Sequence, residues 1–265
     1  MKPCYQLQEP FSVAFSGGQT SGFMLRQIID AHGGTLPRDS RVMFANTGLE
    51  HEKTLEFVDR VAREWGVNVV WLEWRSGNGF KVVDFNSAAR NGEPMAALIE
   101  QRGYPPNPRA RICTVELKMR TMIRYLKSIG WTSWEAAIGL RADEMKRATR
   151  LKGDIKAEIA LAPMAEAGHT LKDVEQFWNA QSFNLEIDRW LGNCTGCFLK
   201  ARRKIERLAL ESPEFLDFWI DTEERVGKPF RIDRPSYIQI RNQVRDQGRL
   251  FGDQDELDMP CRCHE

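Results

Sequence analysis

The stretch Phe11-Ser12-Val13-Ala14-Phe15-Ser16-Gly17-Gly18-Gln19-Thr20-Ser21 is followed by Met24, Leu25, Ile28 and Ile29 at helical spacing, and it decides the fold. An apolar run that ends in two glycines and then enters a helix predicts a strand, a tight turn and a helix packed on a sheet. Such a turn gathers backbone N–H groups and the positive end of a helix in one small space, which suits a phosphate or pyrophosphate. The glycines matter because a phosphate approaches the main chain closely only where no Cβ intrudes. Thr20 and Ser21 add hydroxyl donors at the helix start. The spacing G-x-x-x-x-G-K-[ST] and its lysine are missing, which disfavours transfer of a γ-phosphoryl group. An ordinary strand-turn-helix carries the same local pattern, so the remainder of the chain has to decide between the two.

Working outward, strand-like runs at Phe11–Phe15, Arg41–Ala45, Val67–Leu72 and Glu135–Ile138 alternate with helix-like ones, including His51–Trp65. This alternation predicts an α/β fold, a doubly wound and mostly parallel sheet covered on both faces. Three of the runs lead at once into polar or glycine-bearing turns: Ser16-Gly17-Gly18, Asn46-Thr47-Gly48 and Gly139-Leu140-Arg141-Ala142-Asp143-Glu144. Parallel strands deliver their C-terminal ends to one edge, where ligands bind, so the three turns are expected to line one crevice. That convergence favours the nucleotide reading. The stretch Arg75–Arg111, with four glycines and Tyr104-Pro-Pro-Asn-Pro-Arg109, reads as a partly ordered flap with a short helix within Pro94–Gln101. From about residue 165 the pattern turns helical, with segments at Leu171–Ala180, Cys197–Leu210, Pro213–Val226 and Pro235–Gln247. Two units are expected, a nucleotide-binding α/β domain over 1–164 and a helical, cysteine-bearing subdomain over 165–265.

A chain of 265 residues with 42% hydrophobic content is ample for a core, and its net charge of +1 gives no global argument for nucleic-acid binding. Local basic segments, Lys200-Ala-Arg-Arg-Lys204 and Arg141–Lys156, are candidates for docking a nucleic acid. No run of about 18 apolar residues is present, and Met1-Lys-Pro-Cys-Tyr-Gln lacks an apolar signal segment; the expected location is the cytoplasm, with no membrane partner.

Six cysteines in a reducing compartment point to ligands or reactive thiols rather than disulfides. Cys194-Thr-Gly-Cys197 is expected to open a helix and Cys113 to stand before another, positions where the helix dipole stabilises a thiolate. Cys113, Cys194, Cys197 and one of Cys261 or Cys263 form a reasonable iron-sulfur set. Cys194, Cys197, Cys261 and Cys263 are an equally reasonable structural zinc site. Cys4 is isolated and reads as inert.

Taken together, Ser16-Gly-Gly-Gln-Thr-Ser21, Asn46-Thr-Gly48, Arg111-Ile-Cys113-Thr-x-x-Leu117-Lys118, Gly139-x-Arg141-Ala-Asp143-Glu144-x-x-Arg147 and Gly192-Asn-Cys194-x-x-Cys197-Phe-Leu-Lys200 resemble the phosphoadenosine phosphosulfate (PAPS) reductase family. That family belongs to the PP-loop adenine nucleotide α-hydrolase superfamily, with its Rossmann-like sheet. The resemblance implies that Ser16, Gly17, Gly18, Gln19, Thr20 and Ser21 hold phosphates, and that Asn46, Thr47, Gly48 and Gly139 lie at the nucleotide. Arg141 and Arg147 are implied to supply charge to phosphate or sulfate oxygens, with surface pairing to Asp143 and Glu144 as the plainer alternative. Cluster-bearing members are similar at Cys113, Cys194 and Cys197, which puts a 4Fe-4S cluster ahead of zinc. The chain departs from the family in having Gln19-Thr20 for Lys-Asp, Asn46 for Asp, and Pro260-Cys261-Arg262-Cys263-His264-Glu265 where reductases end in a Glu-Cys-Gly-x-His type tail.

Two enzymatic readings follow from the resemblance. The first is cleavage of ATP between its α and β phosphates, with Mg²⁺, to activate a nucleic acid or small acceptor for sulfur insertion, helped by a sulfur or electron donor protein. The second is reduction of a sulfonucleotide by a tail thiol, Cys261 or Cys263, with thioredoxin. A nucleotide-binding module without turnover, carrying structural zinc, is the third reading.

Overall fold

The computed structural model describes residues 3–77, 79–149, 151, 156–188 and 190–247. In chain order the elements are β1 (Phe11–Ala14), α1 (Gln19–Ala31), β2 (Ser40–Asn46), α2 (Glu52–Glu64), β3 (Val69–Arg75), β4 (Gly79–Val83) and α3 (Glu93–Arg102). A π-helix over Cys113–Arg120 runs straight into α4 (Thr121–Ser128). Then come β5 (Trp134–Ile138), α5 (Met145–Ala148), β6 (Glu158–Leu161), α6 (Pro163–Glu166), α7 (Leu171–Asn179), α8 (Arg202–Glu211), α9 (Asp217–Val226) and α10 (Tyr237–Gln247).

The six strands form one sheet in the order β4-β3-β2-β1-β5-β6. All pairings are parallel except β3 with β4, an antiparallel hairpin at the edge. The chain builds β1, β2 and β3 outward on one side and then returns across β1 to add β5 and β6. The reversal lies between β1 and β5, and in open α/β sheets a crevice opens outside the strand ends at that point.

Alternation along the strands explains why both faces are covered. Val42 and Phe44 of β2 and Val69 and Trp71 of β3 enter one core with α1, α2 and α7, while Met43, Val70 and Leu72 enter another with Ile123 and Leu126 of α4. A third core joins α8, α9 and α10 to Leu49, Trp74, Met95, Leu98 and Leu117, which sit beyond or near the C-terminal ends of β2 and β3. The C-terminal helices are therefore anchored at the edge of the sheet where the strands deliver their turns.

The four strands expected from sequence are present, and two more, β4 and β6, complete the sheet. The stretch Arg75–Arg111, expected as a partly ordered flap, holds the short helix expected within Pro94–Gln101, here α3, and in addition the strand β4; it contributes buried Met95, Leu98 and Ile99 to the third core. Cys194-Thr-Gly-Cys197 does not open a helix: α8 starts only at Arg202, and the cysteines occupy a loop ahead of it. The dipole argument for these two thiols therefore fails.

Candidate functional site

The turn after β1 is built by three constraints. Gly17 has φ +75°, and an added Cβ would lie 2.6 Å from Thr54 Cγ2 and 2.9 Å from Val58 Cγ2 of α2. Only glycine fits there. Ser21 ties the turn together: its Oγ accepts from Ser16 N at 3.1 Å, donates to Gly18 O at 3.0 Å and lies 3.0 Å from Ser16 Oγ. Gly18 then stands at the N-cap of α1 and supplies no side-chain hydrogen bond to the N–H groups of the helix start. Outside the turn, Trp178 Nε1 donates to Gln19 O at 2.8 Å and Gln19 Nε2 to Asn184 Oδ1 at 2.6 Å.

The exit of β5 abuts the same place, since a Cβ on Gly139 would lie 3.3 Å from Ser21 Cα. Arg141 follows, its side chain 10% exposed; Nη1 donates to Thr20 Oγ1 at 3.3 Å, and Nε to Asp143 Oδ1 at 2.9 Å. Glu144 pairs with both Arg141 and Arg147. The carboxylates hold the arginines, and Arg141 is the one that reaches the β1 turn.

The turn after β2 is spent internally. Asn46 is fully buried; its Nδ2 donates to Glu73 Oε1 at 2.8 Å and Ala89 O at 2.9 Å, and its Oδ1 accepts from Gly48 N at 3.1 Å. Thr47 donates to buried Glu50 from N, to Oε2 at 2.9 Å, and from Oγ1, which lies 2.8 Å from Oε2 and 2.9 Å from Oε1. Neither side chain reaches solvent to any useful degree.

The cysteine loop is laid against these turns. Asn193 Nδ2 donates to Ser16 O at 2.9 Å, Asn193 O accepts from His51 N at 2.8 Å, Glu50 and Cys194 form an antiparallel bridge, and Thr195 N donates to Leu49 O at 3.2 Å. Gly196 is required by close approach, because an added Cβ would collide with the Trp219 indole nitrogen. Its carbonyl accepts from Tyr237 Oη at 2.6 Å.

Within the loop the Cys194 and Cys197 thiols are hydrogen-bonded, and that bond, followed by the positive charge of Lys200, pulls the Cys197 pKa down to about 6 against burial. The same bond and burial push Cys194 up. Lys200 is 1% exposed, its Nζ donates to Leu191 O, and burial lowers its pKa to about 8 although both thiols oppose the shift. Cys113, the first residue of the π-helix, interacts electrostatically with Cys197 and Lys118, and burial raises its pKa. Lys118 Nζ lies 3.6 Å from Glu50 Oε1. The helix carrying Cys113 and Lys118 is pinned by Glu116, whose carboxylate meets Arg102 at 2.5 Å, Arg120 at 2.7 Å and Arg124 at 3.2 Å. Desolvation opposes ionisation of Glu116, but these three guanidinium groups outweigh it and hold its pKa below the usual range.

Cys113, Cys194 and Cys197 are thus gathered from two distant segments, whereas Cys4 bonds to Pro163 O elsewhere. Among the described residues no group of three His, Cys, Asp or Glu side chains is arranged as a ready metal site. Cys261 and Cys263 lie outside the described residues. Of the basic run 200–204, Lys200 and Lys204 are buried at 1% and 4% exposure, so two of its four cations face inward rather than toward a nucleic acid. Residues 150 and 152–155 of the other basic segment lie outside the described residues. No helix among the described residues is long and apolar enough to cross a membrane. Sequence reasoning missed Glu50, Glu73, Asn193 as a side chain, and Trp219. Only Asn193 carried a signal, its place in the Gly192-Asn193 pair ahead of Cys194.

The chain is 30% identical over 204 residues to the uncharacterized nin region protein ORF290 of Escherichia phage lambda, covering 73% of this chain and 67% of that protein. It is 36% identical over 107 residues to the uncharacterized protein MJ0066 of Methanocaldococcus jannaschii, covering 36% of this chain but 21% of that protein. The model of the phosphoadenosine phosphosulfate reductase domain matches residues 10–183, a segment that holds the β1, β2 and β5 turns and Cys113 and stops short of Cys194. With most of its length matched, including the whole sheet, the chain belongs to the phosphoadenosine phosphosulfate reductase domain family.

Proposed function

We propose that this chain binds an adenine nucleotide with its phosphates on the turn after β1, and that it cleaves ATP between the α and β phosphates to activate an acceptor for sulfur insertion. The observation that carries the reading is the 2.9 Å hydrogen bond from Asn193 to Ser16 O, which brings the cysteine loop to the rim of the phosphate turn. Backbone N–H groups at the start of α1 and the guanidinium of Arg141 are the charge-stabilising groups for an α-phosphate there, with Mg²⁺ as the counter-ion of ATP. Arg147 supports Arg141 through their shared partner Glu144.

The donor set beside that turn suits a 4Fe-4S cluster. Cys113, Cys194 and Cys197 are soft sulfur ligands, buried Lys200 and nearby Lys118 favour anionic sulfur, and the buried Trp219 Nε1 is without an acceptor at the cysteine loop. Cys261 or Cys263 would complete the set. When bound, such a cluster supplies a place where sulfur is held for delivery. Zinc would find the same thiols but no such use for them.

A second reading, reduction of a sulfonucleotide, is favoured by the description of the family itself. Its nucleophile would be Cys263 or Cys261. Anaerobic purification with iron, sulfide and zinc assays, followed by product analysis, separates the readings. The expected result is iron with sulfide, lost in Cys194→Ala and Cys197→Ala but kept in Cys4→Ala, with pyrophosphate released from ATP. Zinc alone would remove the sulfur-delivery reading, sulfite released from a sulfonucleotide would select the reductase, and neither product would leave a binding module.

A further inference from the structure

Asn193 touches two parts of the molecule that the proposed chemistry needs to act together. Its Nδ2 donates to the carbonyl of Ser16, and a Cβ on Gly18 would lie 3.3 Å from Nδ2 and 3.5 Å from Oδ1, so the amide covers the glycine that caps α1. Its own carbonyl accepts from His51 N, and the next residue is Cys194, bridged to Glu50. A carboxamide carries two N–H donors and a carbonyl, and one donor is used on Ser16. This side chain is the part of the cysteine loop that lies against Gly18 at the first turn of α1.

We infer that Asn193 is a positioning residue that couples occupancy of the phosphate turn to the order of the Cys194–Cys197 loop. The inference rests on the reading that phosphates bind at that turn. Its physical content is that the phosphate and the Ser16 carbonyl hold one planar amide from two sides. The backbone of 193–195, already paired to 49–51, then has one less way to move. By linkage, a loop ordered by its own ligands favours nucleotide to the same degree.

Hydrogen exchange on the protein as purified, with and without α,β-methylene-ATP, tests the coupling. In the wild type the analogue should slow exchange in peptides over 16–22 and over 191–196, in each by about fivefold or more. In Asn193→Ala the slowing should persist over 16–22 and vanish over 191–196. Asn193→Asp keeps the size of the side chain but replaces the donor by an acceptor facing a carbonyl. It should lose the 191–196 response as well and weaken binding of the analogue, so the test stands if the alanine variant folds poorly. A purely structural Asn193 would raise basal exchange in 191–196 while leaving the response to nucleotide intact, and that result overturns the inference while the nucleotide reading survives. Absence of any response over 16–22 in the wild type overturns both.

Discussion

Two turns leave the same edge of the sheet and look alike in sequence, yet the molecule uses them in opposite ways. Ser16-Gly17-Gly18 after β1 is tied to Ser21, to Asn193 and, through Thr20, to Arg141, with no side-chain cap hydrogen bond from Gly18 at the start of α1. Asn46-Thr47-Gly48 after β2 is sealed: Asn46 is bound to Glu73 and Ala89, and Thr47 to Glu50. A glycine-bearing turn at a strand end is therefore a place for a ligand only where its polar groups have not already been satisfied by the protein. The β2 turn holds the Glu50 carboxylate through Thr47, and the Glu50 backbone is bridged to Cys194.

The sharpest way to break this contrast is at the paired glycines. Gly17→Ala forces a Cβ into Thr54 and Val58 at a positive φ, and should cost about 3 kcal/mol in chemical denaturation. Gly18→Ala, at φ −99° with only Asn193 at 3.3 Å, should cost about 1 kcal/mol or less while lowering adenine-nucleotide affinity measured by calorimetry. Equal stability losses at the two positions would erase the distinction between a packing glycine and a ligand-facing one. Next in size, Glu73→Ala strips a hydrogen-bond acceptor from buried Asn46 and from Ala89 N, and should cost about 2 kcal/mol with nucleotide affinity unchanged. A large loss of affinity in a variant that stays folded would show that the β2 turn is not sealed.

The smallest effect concerns the wall of the β1 turn. Helix α7, which holds Gln19 O through Trp178, starts with Thr170 N and Oγ1 both donating to Asp173 Oδ2 at 2.7 Å. The backbone bond, then the hydroxyl bond, hold the Asp173 pKa below its ordinary value. A depressed carboxylate stabilises the fold fully above its unfolded pKa and loses that contribution as pH falls through the folded value. Asp173→Asn should therefore be less stable by about 1 kcal/mol from about pH 5 upward, and the gap to wild type should close in acid. A gap that widens in acid would contradict the assignment.

The legible parts of the fold are those with local patterns. Strands β1, β2, β3 and β5 are apolar runs because each is buried in the sheet, while β4 and β6 are edge strands with exposed Val82 and Ile159, too short and mixed to stand out. Phe198 and Leu199 extend the apolar spacing of α8 backward, yet the chain there is a loop packed on Phe230 and Trp219, which is why the helix was expected to begin too early. Around the candidate site, the turn glycines, Cys113, Cys194, Cys197 and Arg141 all stand in motifs visible in the sequence, and the fold brings them near one another. Asn193 binding Ser16 was not, because a hydrogen bond between residues 177 positions apart leaves no trace in either neighbourhood. The same holds for Glu73, whose task is visible only once β2 and β3 are paired in register, with Asn46 opposite it.

The π-helix over Cys113–Arg120 has a consequence for how tolerant this part of the chain is to change in length. A wide turn of this kind amounts to one surplus residue absorbed in a helix, and removing it would let the segment tighten to the ordinary 3.6 residues per turn. Because the wide turn already absorbs that residue, its removal leaves the residues upstream, Cys113 among them, on nearly the same face of the helix. A further residue inserted beside the wide turn would instead rotate everything upstream by about 100° against α4 and carry Cys113 away from Cys197. For the cysteine site, a one-residue gap here is thus a milder lesion than a one-residue insertion.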